Sequence, residues 1–244
     1  IEWQYRLALG HPKVMLILQN PDDRAALIGM GAVHKDKTVL IRGSGVSLAT
    51  YPMRPEPEGL PIVTFAARLL EDKGVREFVE AARVLRERGV VARFWLAGSP
   101  DLGNLTSITE MELSDWSKDG FVETLGYRTD IPDIFANSNI VVLPSYREGL
   151  PKALVEAAAC GRAVVTTDVP GCRDAIEPGA TGLLVPVRDA SGLADAIQFL
   201  IENPDRRKQM GTSGRALAER EFAIEKVVDA HLAIYQELTN GMNK

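Results

Sequence analysis

Short runs of β-branched and apolar residues punctuate this sequence at residues 14–18, 38–41, 62–67, 92–97, 121–125, 140–143, 163–167 and 182–185. They read as strands. Helix-like stretches lie between most of them, the clearest at 75–88, where Val75, Phe78, Val79, Ala82 and Leu85 make an apolar stripe at helical spacing. Strand alternating with helix in this way predicts an α/β fold built on a doubly wound, parallel, Rossmann-like sheet.

Proline clusters at Pro52, Pro55, Pro57 and Pro61, and the poorly apolar stretch 51–60 is the best linker in the chain. Only about two strands and a helix precede it, too few to close a sheet alone, whereas six strands with their helices follow. The expected division is therefore the tail of a mostly absent domain at 1–50, a linker at 51–60 and a full α/β domain at 61–222. The chain begins with Ile1 inside a helix-like pattern of Trp3, Tyr5, Leu7 and Ala8, which reads as a cut through a larger protein. From Asp189 onward the pattern is helical, with interruptions expected at 203–204 and again at 211–214.

Of the 244 residues, 45% are hydrophobic and 25% charged, the balance of an ordinary globular protein. The formal charge of -5 argues against nucleic acid as a partner. No run approaches the ~18 apolar residues of a membrane span, and the first ten residues lack a signal-peptide pattern, so a cytoplasmic location is expected. Cys160 and Cys172 have no companion Cys or His motif and read as reduced thiols; His11, His34 and His231 form no cluster with carboxylates, and no metal is expected.

In an open α/β sheet, ligands bind beyond the carboxyl ends of the strands. The run ending at Ala67 leads into Arg68, Leu69, Leu70, Glu71, Asp72, Lys73 and Gly74, a loop with two cations that suits an anion. The run ending at Leu143 leads through Glu148, Gly149, Leu150 and Pro151 into a helix, with Pro151 expected in its first turn. The free N–H groups of Lys152 and Ala153 and the helix dipole would then form an anion site. Lys152 opposes that dipole, a conflict that a bound phosphate would remove. Glu156 stands in a helix apolar nearly all round and should be buried, where it needs partners: a structural salt bridge or a polyhydroxylated ligand.

Residues 145–161, SYREGLPKALVEAAACG, resemble the Glu-seven-residues-Glu signature of the retaining family 4 glycosyltransferases of the GT-B fold. The likeness extends through 163–168, Gly171 and GATGLLVPVRD at 179–189, and back to FAARLLEDKGVREFVEAARVL at 65–85, covering nearly all of 61–222. LQNPDDRAALIGMG at 18–31 and IRGSGV at 41–46 look like the end of that family's acceptor-binding domain and its crossover to the donor domain. The resemblance implies that Arg68 and Lys73 hold the diphosphate of a nucleotide-sugar and act as electrostatic catalysts. It implies that Glu148, with the backbone of Gly149 and Leu150, contacts the transferred sugar; that Lys152 and Ala153 reach the phosphates; that Glu156 accepts from the ribose; and that Gly126, Tyr127 and Arg128 border the base. It also implies that the final helix, within 223–244, crosses back toward the first domain.

The implied activity is transfer of a hexose from a nucleoside diphosphate sugar, UDP favoured over GDP, to an acceptor hydroxyl with retention and without a metal or cofactor. Ser44-Gly45-Val46-Ser47 replaces the Asn-Gly-Val-Asp of many members and is similar to bacterial transferases that assemble surface polysaccharide or lipid-linked oligosaccharide. Saccharide or lipid-linked acceptors, and peripheral docking at the inner face of the cell membrane through the absent domain, are expected on that ground. The alternatives are a donor-binding fragment without turnover, a nucleotide-sugar epimerase of the same architecture, and an oxidoreductase. The last is disfavoured because ARLLEDKG, not Gly-x-Gly-x-x-Gly, follows the first strand of the domain.

Overall fold

The computed structural model describes residues 2–11 and 14–240. After helix α1 (Glu2–Leu9), strands β1 (Leu16–Leu18) and β2 (Thr38–Leu40) form a two-stranded parallel sheet with Leu16 beside Thr38, and α2 (Pro21–Gly29) connects them. Asn20 caps α2 through its side-chain oxygen, and Pro21 opens the first turn, where its missing N–H costs nothing.

The larger sheet contains β3 (Ile62–Ala66), β4 (Arg93–Ala97), β5 (Glu123–Gly126), β6 (Ile140–Leu143), β7 (Ala163–Thr167) and β8 (Gly182–Val185). All pairings are parallel and the spatial order is β5-β4-β3-β6-β7-β8, so the chain reverses its direction of winding between β3 and β6. The expected doubly wound α/β fold is what forms. β3, β6 and β7 are buried at every position, as central parallel strands covered on both faces must be, and their apolar and β-branched residues suit that burial.

Helices α3 (Val75–Glu87), α4 (Glu110–Asp119), α5 (Ile131–Ala136) and α6 (Lys152–Ala159) connect strands of this sheet, and α7 (Ala190–Glu202) and α8 (Pro204–Leu217) follow β8. α3 buries the predicted stripe of Val75, Phe78, Val79, Ala82 and Leu85, and Phe78 sits between Phe65 and Phe94 at ring separations of 5.5 and 5.9 Å. α6 and α8 pack on each other and on β7.

Two sequence expectations need correction here. Residues 211–214 do not interrupt a helix; they lie inside α8. A Cβ on Gly211 would meet the Gly161 carbonyl oxygen at 2.1 Å, so this glycine serves the close approach of α8 to the chain after α6 rather than a turn. Pro151 stands outside the first turn of α6, as its N-cap, and the helix begins at Lys152.

Residues 51–60 contain no helix or strand, yet they are strapped firmly to the large sheet's domain. Arg207 and Glu56, 6% and 7% exposed, form a buried ion pair at 2.8 Å. The fully buried Arg162 donates to the carbonyls of Arg54 and Pro55 as well as to Phe135 and Ala136. Just before this strap, Val46 pairs with the backbone of Phe222 and Ile224, so the chain's two passages between the sheets run side by side. The last helix, α9 (Ile224–Asn240), lays Val227 and Ile234 against Ile41 and the small sheet, while Val228, Leu232 and Tyr235 remain exposed.

Candidate functional site

The loops after β3 and β6 flank the reversal point, and a single glycine draws them together. Gly74 ends the turn Glu71–Lys73 at φ 73°, and a Cβ there would lie 2.2 Å from the Pro144 carbonyl oxygen. The Tyr146 N–H completes the junction by donating to the Asp72 carbonyl at 2.9 Å. Lys73 is thereby carried across to Glu148: its Nζ lies 2.5 Å from Oε1, which also accepts from Ser145 Oγ at 2.7 Å.

Beyond the strand ends lies a two-lobed cleft. One lobe, about 220 Å³, is bordered by Arg68, Gly98, Ser99, Tyr127, Arg128 and Ile131 among others. The other, about 250 Å³, is bordered by Lys73, Leu143, Glu148, Pro151 and Lys152. Ala66, Ala67, Ala153 and Glu156 border both, so Glu156 marks the waist. Taken together, the lobes are of the size of a small-molecule site.

The structure thus brings Arg68, Lys73, Tyr127, Arg128, Glu148, Lys152, Ala153 and Glu156 to one cleft. The two cations of the β3–α3 loop are divided between the lobes, each with its own carboxylate: Arg68 pairs with Asp101 at 2.9 Å and Lys73 with Glu148. Gly126 ends β5 with φ 66° and its carbonyl accepts from the Gly98 N–H at 2.8 Å. Gly149 and Leu150 do not border the two lobes; they face the first fifty residues, Gly149 through a hydrogen bond to Asn20 and Leu150 through packing against the Val46 cluster.

Glu156 is 6% exposed, as its apolar helix predicts. Lys152, one turn earlier, reaches it at 3.3 Å, and this pair eases the conflict between the lysine and the helix dipole. Its second neighbour, Tyr51, was not legible beforehand, because Tyr51 belongs to the strap rather than to any strand end. Burial first, and then the Glu156 carboxylate beside it, hold the Tyr51 phenol well above its ordinary range. Tyr146, in the β6–α6 loop, is pushed up to about 12 by burial and by its hydrogen bond to Glu77 at 2.6 Å. Arg188, at φ 59°, stacks its guanidinium 4.4 Å from the Tyr146 ring centre.

Residues 60–203 match the family described as "Glycosyl transferases group 1". The chain belongs to this family. All the cleft residues named from the sequence lie inside the matched segment of this group 1 chain. Among curated relatives, the N,N'-diacetylbacillosaminyl-diphospho-undecaprenol alpha-1,3-N-acetylgalactosaminyltransferase of Campylobacter jejuni is 40% identical over 223 residues, 86% of this chain and 57% of the relative. Alpha-D-kanosaminyltransferase of Streptomyces kanamyceticus is 32% identical, covering 73% of this chain and 46% of its own length. The chain therefore spans about half the length of the curated relatives it matches. Sucrose-phosphate synthase from Thermosynechococcus elongatus superposes with a TM-score of 0.80 over 92% of this chain and 58% of its own, at 26% identity. The UDP complex of Anabaena HepE has the same fold, with a TM-score of 0.79 at 20% identity over 99% and 68%.

The two cysteines of this group 1 chain do not border the cleft. Cys160 and Cys172 are buried and free, and burial pushes both thiols up to about 11. Among the described residues, no cluster of three or more His, Cys, Asp or Glu is arranged to hold a metal, and no helix is long and apolar enough to cross a membrane.

Proposed function

We propose that this chain is the donor-binding half of a retaining hexosyltransferase that uses a nucleoside diphosphate sugar. The observation that carries the reading is the waist of the cleft: a buried carboxylate, Glu156, between a lobe edged by Tyr127 and Arg128 and a lobe holding Lys73, Glu148 and Lys152. A nucleoside diphosphate sugar has its polar groups in that sequence. The base would lie by Gly126, Tyr127 and Arg128, the ribose hydroxyls would donate to Glu156, and the diphosphate would meet Arg68, Lys73 and the N–H groups of Lys152 and Ala153. The sugar would then meet Glu148 and, by extending past the second lobe toward residues 1–50, the backbone of Gly149 and Leu150.

The chemistry follows from charge. As the sugar–phosphate bond breaks, negative charge grows on the diphosphate, and cations held in a partly buried cleft stabilise that growth more than they stabilise the ground state. Lys73 and Arg68 supply this without a metal in our reading. Retention follows if the acceptor hydroxyl attacks on the face the diphosphate leaves, giving its proton to the departing phosphate oxygen; no side-chain nucleophile or separate base is then required. We favour UDP, the nucleotide in the HepE complex, and a saccharide or lipid-linked bacterial acceptor, of the kind named for the Campylobacter relative. In this reading residues 1–50 belong to an acceptor-binding domain, 51–60 to the linker and 223–244 to the returning helix, and docking at a membrane surface falls to the longer protein.

Calorimetric titration with UDP, GDP and ADP, each with and without a chelator, tests the proposal. One nucleotide is expected to bind, equally well in chelator. Binding by none of the three overturns the donor site, and binding abolished by chelation overturns the metal-free clamp.

A further inference from the structure

Asn20 sits at the junction between the small sheet and the donor loop, and it is fully buried. Its oxygen does the ordinary work of a helix N-cap, accepting from the Asp23 N–H at 2.8 Å. A cap requires nothing more, and serine, threonine or aspartate would serve as well. The amide nitrogen is put to a different use: it donates to the Gly149 carbonyl at 2.9 Å and to Asp23 Oδ2 at 2.8 Å. Asp23 in turn reaches Arg147 at 3.2 Å, so residues flanking Glu148 on both sides are held from α2. One turn of contacts away, Asp22 pairs with Arg173 at 3.3 Å, and Arg42 donates to the Asp174 carbonyl, tying the same region to the chain after β7.

We infer that Asn20 is a positioning residue for the donor sugar: its amide fixes the peptide after Glu148, so that Glu148 and the Gly149–Leu150 backbone are presented to the sugar only when α2 is docked. The sugar half of this inference rests on the donor reading above; the fixing of the loop does not. A partly buried carbonyl that loses its donor bears part of its desolvation cost, so the 147–150 loop should loosen when the amide is removed even though the helix cap survives.

Asn20→Asp separates the two roles, because it keeps the capping oxygen and sets a carboxylate against the Gly149 carbonyl and Asp23. Hydrogen exchange on the 244-residue chain should show α2 protected as in wild type and amides across 147–150 exchanging roughly tenfold faster, with those of α6 unchanged. Asn20→Ser, which caps but is too short to reach Gly149, should give the same pattern. UDP should bind both variants as it binds wild type, while UDP-N-acetylgalactosamine, used as the probe, should bind roughly tenfold more weakly. Equal exchange in variant and wild type overturns the inference, as does equal loss of UDP and of the sugar nucleotide. Adding Asp23→Asn to Asn20→Asp relieves the carboxylate repulsion but returns no donor to Gly149; recovery of wild-type loop exchange in that pair would also overturn it. Wild-type chain that binds neither ligand removes the donor assignment itself, a result read separately from the loop exchange.

Discussion

Lys73 and Glu148 neutralise each other at 2.5 Å, so each is a test of the other. Lys73→Ala is expected to weaken nucleoside diphosphate binding by about 1.5–3 kcal/mol, the range of a charge-assisted hydrogen bond in a partly buried setting. Unchanged affinity in calorimetry would remove Lys73 from the diphosphate clamp. Tyr146 offers a prediction in pH. An unfolded tyrosine ionises near 10, but the folded Tyr146 holds its proton to about 12. Its stabilising contribution is therefore complete below pH 10 and is lost as pH rises from 10 through 12, because the native state there binds the extra proton. Urea unfolding at pH 9, 10 and 11 should show stability falling across this window, with a shallower fall in Tyr146→Phe; identical slopes would dissociate Tyr146 from the alkaline loss.

At the scale of elements, the sheet was legible because most of its strands are short runs rich in apolar and β-branched residues; β5 is the exception, since the apolar Phe121 and Val122 precede it and the strand itself is Glu123–Gly126. Helix α8 was not, because glycine reads as a breaker wherever propensity alone is consulted. Gly211 is there to let α8 touch the Gly161 carbonyl, a tertiary reason with no local signal. Gly211→Ala should accordingly destabilise the protein by about 2 kcal/mol or more, although helix propensity alone predicts a gain of up to ~1 kcal/mol. Urea denaturation decides between the two signs. The candidate site divides in the same manner: Arg68, Lys73, Glu148 and Glu156 follow strands or stand out in an apolar helix, so position and composition pointed to them. The partition of Arg68 from Lys73 depends on the contact at Gly74, and the meeting of Tyr51 with Glu156 depends on the path of the strap. Neither contact is encoded by nearby sequence.

For the whole molecule, the prolines of 51–60 suggested a tether, but charge makes the stretch a fixed strap. Arg207→Leu would take from Glu56 the cation it is paired with, leaving only the Arg162 charge beyond hydrogen-bond reach, and is expected to cost about 3 kcal/mol, whereas Glu56→Gln combined with Arg207→Met should cost far less, since both charges go together. Equal losses in the two variants, measured by chemical unfolding, would show that packing rather than charge holds the strap.

The pairing of Val46 with the chain around Ala223 has a consequence for how the polypeptide is made. The partners of this bridge stand far apart in the sequence, and α9, which covers Ile41 on the small sheet, follows the later one. During synthesis, β1, β2 and α2 leave the ribosome long before their cover exists. The large sheet, whose strands follow one another closely, can be completed first, and the small sheet gains the contacts of α9 only when that helix has been made. Until Val227 and Ile234 have been made, Ile41 lacks the apolar contacts that α9 supplies, so this junction closes late in synthesis, at the entropic cost of joining segments far apart in sequence.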